Sequence, residues 1–528
     1  MKFRFFLLFS FFLILGGVLV FRLYSLQLEK GEIYLAKAQA RSEFLSHFEL
    51  KRGQIFFTDK NKNDIPVALN KNYPWLYAVP KEIKEPEKTA SLLAPLLKQD
   101  EKKLASAFKN NSSLYYHLAD KLSPQLVEAL EKIGPLAGIY LDNRLYRFYP
   151  FNNLASQTLG FFGINDKNPE PTGIYGLEEF YNNVLKENKN IYLTIDRTLQ
   201  IQAENILNDL IEKFKASGGT IIIEEPKTGK ILALANKPDF DPNNYSDFPI
   251  KNFLNPAIHS LYEPGSVLKP LTMAIGIDLG ILTPTTTYID NGKITLDNKT
   301  IENWDHKSHG KITMTEVIEQ SVNTGAVFAE EKIGHSQFYN FLKKFGLETI
   351  TGIDLPKEVA GNLKNLSRKE ARDIDFATAS FGQGIAVTPI ALISAFSAIA
   401  NGGVLMRPFL NRDLTPQVID RVIKPETSRL VTQMMESAVN KAQVATIAGY
   451  RIAGKTGTAQ IPDFQKGGYT DEYIHTFIGF APVSNPYFIA LIKLDKPNSN
   501  LAALSVVPAF RDLAQFILNY YQIPPDKL

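Results

Sequence analysis

Cysteine is absent from all 528 residues of the sequence. Its absence excludes disulfide bonds, thiolate catalysis, zinc–thiolate sites and iron–sulfur clusters. The sequence also lacks a surplus of one charge, since 58 basic and 55 acidic side chains give a formal net charge of +3, without long blocks. A nucleic-acid-binding protein usually has a concentrated basic face, so we expect no nucleic-acid partner. With 45% hydrophobic and 21% charged residues, the composition is neither disordered nor that of a multi-span membrane protein.

One long apolar run lies near the beginning of the sequence. Residues 5–21 contain no charged side chain and follow Lys2 and Arg4. At ~1.5 Å per residue, a helix of this length spans about 25 Å, which is slightly less than a ~30 Å hydrocarbon core. A cleaved signal peptide would place an Ala-x-Ala site directly behind the run, but the first candidates lie only at residues 36–40.

We therefore expect a single-pass, uncleaved anchor at residues 5–21, with residues 1–4 as a cytoplasmic tail. Lysine and arginine residues are balanced on the two flanks of the run, so they do not decide its orientation. A large domain behind the anchor can cross the membrane regardless of loop charge. A location of the following domains outside the plasma (inner) membrane is therefore compatible with the sequence.

The pattern of hydrophobic and polar residues in the rest of the chain changes near residue 191. In the first part, residues 22–190, hydrophobic periodicity and turn residues predict four features. They are an amphipathic helix at 23–39, a strand-like stretch at 50–69 with a turn at 59–64, exposed amphipathic helices within 84–134, and a loop at 165–173.

The second part, residues 191–528, predicts helices packed on one antiparallel sheet, which is an α+β fold. A helix with the 3.6-residue period follows a plausible N-cap at Asp196, and a β-hairpin follows the helix. Residues 267–279 are apolar on all sides and predict a buried helix. Further strands are expected at 451–460, 476–481 and 487–494, and a closing helix at 511–521.

A Ser-x-x-Lys motif at the start of the predicted buried helix brings a hydroxyl and an amine onto one face. Ser266 and Lys269 are one turn apart, and Pro264 and Gly265 mark the turn before them. The positive end of a helix favours a developing oxyanion, and a desolvated lysine has a lowered pKa and can act as a base. The pattern alone is weak, because it also occurs at residues 106–109 and 308–311, in polar surroundings.

Two further motifs are equally weak when taken singly. Ser321 and Asn323 form the only Ser-x-Asn in the sequence, which reads either as a loop that relays a proton and holds a substrate carbonyl or as an ordinary cap. Lys455 begins a Lys-Thr-Gly-Thr stretch, residues 455–458, which on an edge strand offers a cation and two hydroxyls to a carboxylate. A second Lys-Thr-Gly, at 227–229, reads as an ordinary turn after a proline.

The order of the three motifs carries more weight than any one of them. Ser-x-Asn follows Ser266 by 55 residues, and Lys455 follows Ser321 by 134. Ser-x-x-Lys, Ser-x-Asn and Lys-Thr-Gly in this order are the signature of penicillin-binding proteins and class A β-lactamases. The chain resembles the class B, monofunctional penicillin-binding proteins nearly end to end. Further landmarks of that family match at residues 51–55, 147–150, 176–178, 193–196, 381–384 and 388–389.

The family's pattern is not matched everywhere. Around Asp59, Thr58 and Lys60 stand where the family usually has an Asp-Arg pair, and residues 186–190 lack the glycines that often precede the linker. These departures concern the pedestal. The resemblance implies an anchor, an elongated pedestal (dimerisation-type) domain at 22–190 and a transpeptidase domain at 191–528.

The resemblance implies a peptidoglycan D,D-transpeptidase that works through a serine acyl-enzyme and needs no metal or cofactor. Its catalytic residues would be Ser266 as nucleophile, Lys269 as base, Ser321 as proton relay, Asn323 on the substrate backbone and Lys455 beside the carboxylate. Thr456, Gly457 and Thr458 would bind substrate, and the N–H groups of Ser266 and Thr458 would form the oxyanion hole. Expected partners are peptidoglycan stem peptides on lipid II-derived strands, β-lactam antibiotics, a membrane-embedded glycosyltransferase and other division proteins.

Several alternatives stay open. Residues 493–497, after 480–482, look like the septal, FtsI-like branch, and the elongation branch is the alternative. A β-lactamase would share the three motifs, and Glu358 and Asn362 reproduce the Glu-x-x-x-Asn spacing of class A enzymes. A β-lactam sensor should carry a cytoplasmic signalling part, and a silent scaffold would not need the motifs. His306 and His309 have a spacing compatible with metal ligands but lack a third partner, so we expect loop residues.

Overall fold

The computed structural model describes residues 51–110, 113, 115–165, 168–463 and 465–527. The chain forms two compact units, a smaller one that includes residues 69–148 and a larger one of residues 53–68 and 149–528. The expected anchor at 5–21 and the expected helix at 23–39 lie outside the described residues. Within the described ranges, no helix combines the length and the apolar character that crossing a bilayer requires. The domain boundary at residue 190 stays a prediction.

The first two strands form the predicted hairpin. Strand β1 (Ile55–Thr58) pairs with the beginning of β2 (Ile65–Ala78) in antiparallel register. The turn between them is closed by Asp59, whose Oδ1 accepts hydrogen bonds from the backbone N–H groups of Asn61 and Asn63 at 2.8 and 2.9 Å. The turn predicted from the polar residues at 59–64 is therefore confirmed, with the Asp59 side chain bonded to the backbone of the turn.

The smaller unit packs three helices with a three-stranded sheet. The second half of β2 pairs with two further strands, and Leu93, Leu104 and Phe108 are buried in the unit's core. The amphipathic helices expected within 84–134 are confirmed, although the strand β3 between them was not predicted. The elements are α1 (Pro86–Leu97), α2 (Glu101–Phe108), β3 (Tyr116–Ala119), α3 (Pro124–Ile133) and β4 (Ile139–Phe148), with a 3₁₀ turn at Pro80–Glu82.

The loop expected at residues 165–173 is wrong, because Asn168–Ile174 forms strand β6, which pairs with β5. Pro169 and Pro171 suggested a loop since proline cannot donate to a ladder. The β5–β6 pairing, however, shifts register between Gly163 and Asn165, and both prolines lie in the irregular stretch of β6 between Asn168 and Thr172. Proline is tolerated at such a bulge because the ladder is already interrupted there. The elements of this segment are α4 (Ser156–Leu159), β5 (Phe161–Asn165), β6, α5 (Gly176–Phe180), α6 (Asn182–Lys186) and β7 (Ile191–Asp196).

The predicted helix and hairpin after Asp196 are confirmed. Helix α7 (Arg197–Phe214) begins where Asp196 accepts hydrogen bonds from the N–H groups of Thr198 and Leu199. Strands β8 (Gly218–Glu225) and β9 (Lys230–Lys237) then pair around the turn that contains the second Lys-Thr-Gly.

The middle of the larger unit is mainly helical. The helix at Lys269–Asp278 is buried along nearly its whole length, as predicted. The helices are α8 (Pro256–His259), α9 (Lys269–Asp278), α10 (Met314–Gln320), α11 (Asn323–Ile333), α12 (His335–Lys344), α13 (Lys364–Ser367), α14 (Asp373–Ala379), α15 (Pro389–Ala400) and α16 (Pro425–Ala442), with 3₁₀ turns at Pro242–Asp247, Ile250–Asn252 and Gly265–Leu268.

Three short β-ribbons accompany these helices, pairing β10 with β13, β11 with β12 and β14 with β15. Their strands are β10 (Thr287–Asp290), β11 (Lys293–Leu296), β12 (Lys299–Glu302), β13 (Gly310–Thr313), β14 (Val404–Met406) and β15 (Val418–Arg421).

The central sheet has five antiparallel strands in the order β16-β17-β18-β8-β9, so β16 lies at one edge. One face packs on α7 and α17, and the opposite face packs on the helices around α9 and α15. The late strands and the closing helix are present, although the strand expected at 476–481 already begins at Tyr469 and the helix expected at 511–521 begins at Val506. Helices packed on one antiparallel sheet are the observed plan. The last elements are β16 (Ala453–Pro462), β17 (Tyr469–Ala481), β18 (Phe488–Asp495), a 3₁₀ turn at Ala502–Leu504 and α17 (Val506–Tyr520).

Candidate active site

Ser266 lies in the 3₁₀ turn that leads into α9. In a 3₁₀ turn, side chains three residues apart are nearly eclipsed, so Ser266 and Lys269 share one side as the spacing predicts. Gly265 has a positive φ of 62° and its N–H donates to the Gly382 carbonyl at 3.0 Å. A Cβ atom at Gly382 would lie only 2.3 Å from the Gly265 oxygen, so this contact requires glycine. Ser266 is half-buried.

Lys269 is completely buried and points at the Ser-x-Asn motif. Its Nζ donates to the Ser321 carbonyl at 2.5 Å, to the Ser321 hydroxyl at 3.2 Å and to Asn323 Oδ1 at 2.8 Å. Burial, and to a lesser degree the neighbouring Lys455 charge, lowers the pKa of Lys269 well below its ordinary value. An amine with a lowered pKa can accept a proton near neutral pH.

The Ser-x-Asn motif occupies a junction between two helices and not an open loop. Ser321 ends α10 in the left-handed conformation, with a φ of 56°, and Asn323 begins α11. Asn323 is held through its side-chain N–H, which donates to the Glu302 carbonyl at 2.8 Å. Ser321 is therefore a helix cap, one of the two interpretations of the motif, and the side chains of Ser321 and Asn323 both contact Lys269. The functional interpretation stays a prediction.

The Lys-Thr-Gly stretch lies on β16, the edge strand, as predicted. Lys455 is buried, and its Nζ donates to the Ser321 hydroxyl at 2.9 Å and to the Thr456 carbonyl at 3.1 Å. Burial lowers the pKa of Lys455 to about 7. A Cβ atom at Gly457 would lie 2.9 Å from the Pro264 oxygen, so the missing side chain lets β16 approach the turn that carries Ser266.

The two threonines of this stretch have different surroundings. Thr456 Oγ1 lies 3.4 Å from Lys455 Nζ, so the Thr456 hydroxyl is next to the lysine ammonium group. The Thr458 hydroxyl accepts a hydrogen bond from the Ala502 N–H at 3.2 Å. The structure therefore joins Lys269, Ser321, Asn323 and Lys455 by direct hydrogen bonds, and it orients the Thr458 hydroxyl toward the turn at residue 502.

The other copies of the motifs lie elsewhere. Ser106 is exposed on α2, and its partner Lys109 pairs with Glu87 at 2.6 Å with much of both side chains in solvent. Ser308 is exposed in a loop, and Lys227 belongs to the turn between β8 and β9. A solvated lysine keeps its charge and is a poor base. Only the copies in the predicted order converge on one site.

A buried polar cluster behind the Ser-x-Asn motif was missed by the sequence reading. The side-chain oxygen of Asn303 accepts hydrogen bonds from the N–H groups of Asn323 and Thr324, at 3.1 and 3.2 Å. Asp290 accepts from the Thr324 hydroxyl at 2.7 Å and from the Asn303 amide at 2.9 Å. These contacts fix the first turn of α11. No sequence signal marks them, because each residue is a single polar side chain in an ordinary loop or strand.

The remaining sequence candidates have local partners. Glu358 Oε1 accepts from the N–H and hydroxyl of Thr351 at 2.7 and 2.6 Å, and Oε2 accepts from the Gly352 N–H at 2.9 Å. His306 pairs with Glu302 at the end of β12, and His309 pairs with Asp305 of its own loop. Within the ranges that the structure covers, no three His, Asp or Glu side chains are grouped in a way that could hold a metal ion.

Two family models match the chain. The model described as the penicillin binding protein transpeptidase domain covers residues 219–515, and that of the penicillin-binding protein dimerisation domain covers residues 49–195. Among curated proteins, the chain is similar to stage V sporulation protein D of Bacillus subtilis, with 30% identity over 93% of this chain and 82% of the relative. It is also similar to the peptidoglycan D,D-transpeptidase FtsI of Buchnera aphidicola subsp. Baizongia pistaciae, with 31% identity over 79% and 77%.

A third relative, the peptidoglycan D,D-transpeptidase FtsI homolog of Mesostigma viride, is 28% identical over 97% of this chain and 94% of its own. Among solved structures, penicillin binding protein 2X from Streptococcus thermophilus superposes with a TM-score of 0.72 at 21% identity. The superposition covers 90% of this chain and 80% of that one. At this identity, the superposition supports the fold alone.

Proposed function

The chain belongs to the class B penicillin-binding proteins and is a serine-type, penicillin-sensitive peptidoglycan D,D-transpeptidase, and we propose that its cross-linking runs through an acyl-enzyme on Ser266. The observation that carries this proposal is the convergence of three distant motifs. Lys269 and Lys455 both donate hydrogen bonds to the Ser321 hydroxyl, at 3.2 and 2.9 Å. A serine acyl-enzyme requires a base, a proton relay and a cation close to the nucleophile. The cluster of Lys269, Ser321 and Lys455 supplies these groups, and the half-buried Ser266 precedes Lys269 by one turn.

In the acylation step, the Ser266 oxygen attacks the carbonyl carbon of the penultimate D-alanine of a stem peptide, and its proton passes to Lys269. The low pKa of Lys269 favours the neutral amine that this transfer requires. Collapse of the tetrahedral intermediate breaks the peptide bond, and the terminal D-alanine leaves after its nitrogen has gained a proton. A β-lactam would acylate the same oxygen by opening its ring.

The relay role of Ser321 is supported by its position between two lysines. Its hydroxyl accepts from Lys455 and contacts Lys269, so a proton collected by Lys269 has a short route to the leaving nitrogen. In the second step, an amine of a neighbouring stem peptide attacks the acyl carbon. The bond to Ser266 breaks, a new peptide cross-link forms, and Ser266 regains a proton through the same groups.

Substrate binding is proposed along the edge of the sheet. Strand β16 has an unpaired edge that an extended stem peptide can join. Lys455 supplies positive charge for the terminal carboxylate, with Thr456 beside it, and Asn323 presents its amide to the peptide backbone. We propose the N–H groups of Ser266 and Thr458 as the oxyanion hole, in which each donor of comparable enzymes contributes roughly 3–4 kcal/mol.

The competing β-lactamase reading depends on Glu358 as the base for a deacylating water. Glu358 accepts three hydrogen bonds from Thr351 and Gly352 of its own loop, which is the arrangement of a loop-stabilising carboxylate. A transpeptidase keeps water away from its acyl-enzyme. We therefore assign Glu358 a structural role.

The cellular role is proposed from the sequence resemblance to the septal branch, and two of the relatives above carry the FtsI name. We propose a single-pass anchor at 5–21 in the plasma (inner) membrane, a pedestal and an extracytoplasmic transpeptidase domain. A membrane-embedded glycosyltransferase and other division proteins are the proposed partners. A fluorescent fusion should accumulate at midcell, and round or swollen cells after depletion, in place of filaments, would favour the elongation branch.

An exchange assay tests the proposed reaction. The purified protein is given a stem-peptide donor that ends in D-alanyl–D-alanine together with a labelled D-amino acid as acceptor. We expect the label to replace the terminal D-alanine, and penicillin to block the exchange. Release of D-alanine with only the hydrolysed donor as product would contradict a transpeptidase and favour a hydrolase.

A further inference from the structure

Glu263 lies three residues before Ser266, and both of its carboxylate oxygens are engaged by segments that border the site. Oε1 accepts a hydrogen bond from the Gly384 N–H at 3.0 Å, and Oε2 accepts one from the Tyr469 hydroxyl at 3.0 Å. The two donors are distant from Glu263 in sequence and belong to different elements. The carboxylate is partly buried, and burial raises its pKa above the ordinary value.

The first of these bonds fastens a turn at residues 381–384 to the segment that carries Ser266. The same turn touches that segment a second time, where the Gly265 N–H donates to the Gly382 carbonyl at 3.0 Å. The backbones meet so closely that a Cβ atom at Gly382 would be 2.3 Å from the Gly265 oxygen. The two backbones also pair further along, where Tyr262 and Val387 exchange N–H···O bonds at 3.1 and 3.0 Å. The Glu263 bond adds a side-chain link at the glycine turn, the part of this contact that lies beside Ser266.

The second bond fastens the β16–β17 hairpin to the same segment. Tyr469 is the first residue of β17 and lies opposite Pro462, beyond the end of the Lys-Thr-Gly stretch. Near the other end of that stretch, Gly457 already packs on Pro264. The hairpin is therefore held against the Ser266 segment at two separate places, and Glu263 provides the outer one.

We propose that Glu263 is a positioning residue for acylation. It holds the 381–384 turn and the β16–β17 hairpin against the turn of Ser266, and so fixes the distance between the nucleophile and the substrate-binding strand. The proposal rests on the proposed function, since it takes Ser266 as the acylated residue. A carboxylate that accepts two hydrogen bonds can do this because bonds to a charged group are stronger than neutral ones.

The test compares Glu263→Ala, Glu263→Gln and Tyr469→Phe with the wild-type protein, using a fluorescent penicillin and stopped-flow mixing. Glu358→Ala is the matched control, since Glu358 also accepts several hydrogen bonds but stabilises a separate loop. In Glu263→Ala, the acylation rate constant should fall about 10- to 100-fold, the range for lost bonds to a charged group. We call the two hydrogen bonds of Glu263, to Gly384 and Tyr469, the tie. The dissociation constant of the non-covalent penicillin complex should change less than about threefold, because the tie acts on the position of the reacting groups.

Conservative replacement should rescue the rate. Glutamine can accept from the Gly384 N–H and donate to the Tyr469 oxygen, so Glu263→Gln should stay within about threefold of wild type. Tyr469→Phe removes one of the two bonds and should fall between wild type and Glu263→Ala. A rate in Glu263→Ala within about threefold of wild type, or an equal loss in Glu358→Ala, would overturn the proposal. Glutamine as harmful as alanine would also overturn it.

Hydrogen exchange followed by mass spectrometry reads the tie without any acylation. In Glu263→Ala, peptides that cover residues 381–387 and 465–473 should exchange faster than in wild type, at an unchanged unfolding temperature. Unchanged exchange in both peptides would overturn the tie, whatever happens to the acylation rate. If the wild-type peptides are protected through Glu263 but the protein takes up no penicillin, the failure lies with the proposed function and not with the tie.

Discussion

Lys269 and Ser321 are joined twice: Lys269 Nζ donates to the Ser321 carbonyl at 2.5 Å and to the Ser321 hydroxyl at 3.2 Å. The two residues are 52 positions apart in the chain. The contact is available because Ser321 adopts a left-handed conformation at the end of α10, which turns its carbonyl and hydroxyl toward the buried amine. In the proposed mechanism, a base and a relay held in this way need little reorganisation during the reaction.

The base assignment predicts the effect of removing Lys269. Because its amine is the buried one beside Ser321 and Asn323, Lys269→Ala should slow acylation by about 10²–10⁴-fold, the contribution of a positioned base. Its unfolding temperature should change little, since deleting a desolvated amine offsets the loss of its hydrogen bonds. Penicillin labelling rates and thermal unfolding measure both. Lys109→Ala, in the exposed Ser-x-x-Lys copy, is the control, and acylation within tenfold of wild type in Lys269→Ala would point to another base.

The pKa of Lys455 predicts that the second-order acylation constant declines at alkaline pH. Burial lowers this pKa to about 7, so the free enzyme loses the Lys455 cation as the pH rises through that value. If the cation attracts the substrate carboxylate, the second-order acylation constant should decline above about pH 7, since this constant reports on the free enzyme. In Lys455→Arg, the guanidinium stays charged and the decline should disappear. An identical decline in both proteins would assign this decline to another group.

Glu224 predicts a pH-dependent stability. Its carboxyl is completely buried on β8, and burial raises its pKa from 4.5 to about 7, although the Ser397 hydroxyl acts in the opposite direction. Between these two pH values the unfolded chain is ionised while the folded protein holds a proton, so stability falls as the pH rises from about 4.5 to 7. By linkage, the loss at pH 8 is of the order of 3 kcal/mol.

Glu224→Gln should therefore unfold at a higher temperature than wild type at pH 8 and at nearly the same temperature at pH 5. Scanning calorimetry at the two pH values measures the difference. The neighbouring Glu225, whose side chain reaches solvent, provides the control, and Glu225→Gln should not reproduce the effect. A Glu224→Gln protein with the same pH dependence as wild type would show that this carboxyl does not titrate on folding.

The lifetime of the acyl-enzyme separates the transpeptidase from a β-lactamase. With Glu358 bound to its own loop, no base is assigned to a deacylating water, so the penicilloyl adduct should persist for many minutes to hours. Glu358→Gln should leave its decay almost unchanged. Adduct decay followed by intact-protein mass spectrometry measures both. Turnover of several penicillin molecules per second, lost in Glu358→Gln, would show a working hydrolase.

Much of the site could be predicted because its residues lie in strongly patterned segments. Lys269 follows a turn and opens a wholly apolar helix, which is enough to expect a desolvated amine. Lys455 lies in an apolar stretch bounded by glycines, which is enough to expect a strand close to substrate. The order of three weak motifs then selected the copies that the structure brings together, where spacing within any single motif could not.

What the sequence missed depends on contacts between distant residues. The sequence left Ser321 open between a loop and a cap, because a helix end without glycine gives no local signal for its left-handed backbone. Strand β6 was hidden by Pro169 and Pro171, which lie where the pairing of β6 with β5 shifts register. The link from Glu263 to Tyr469 spans 206 positions, and Glu224 looks like any polar residue at a strand end until α15 covers it.

The most direct test of the account is to find which residue penicillin acylates. The purified protein is treated with penicillin, digested and sequenced by tandem mass spectrometry, with Ser266→Ala, Ser106→Ala and Ser308→Ala treated in parallel. We predict one adduct per chain, on the peptide that contains Ser266, absent in Ser266→Ala and present in the other two variants. An adduct on any other residue, or one that survives Ser266→Ala, would contradict the assignment of the nucleophile.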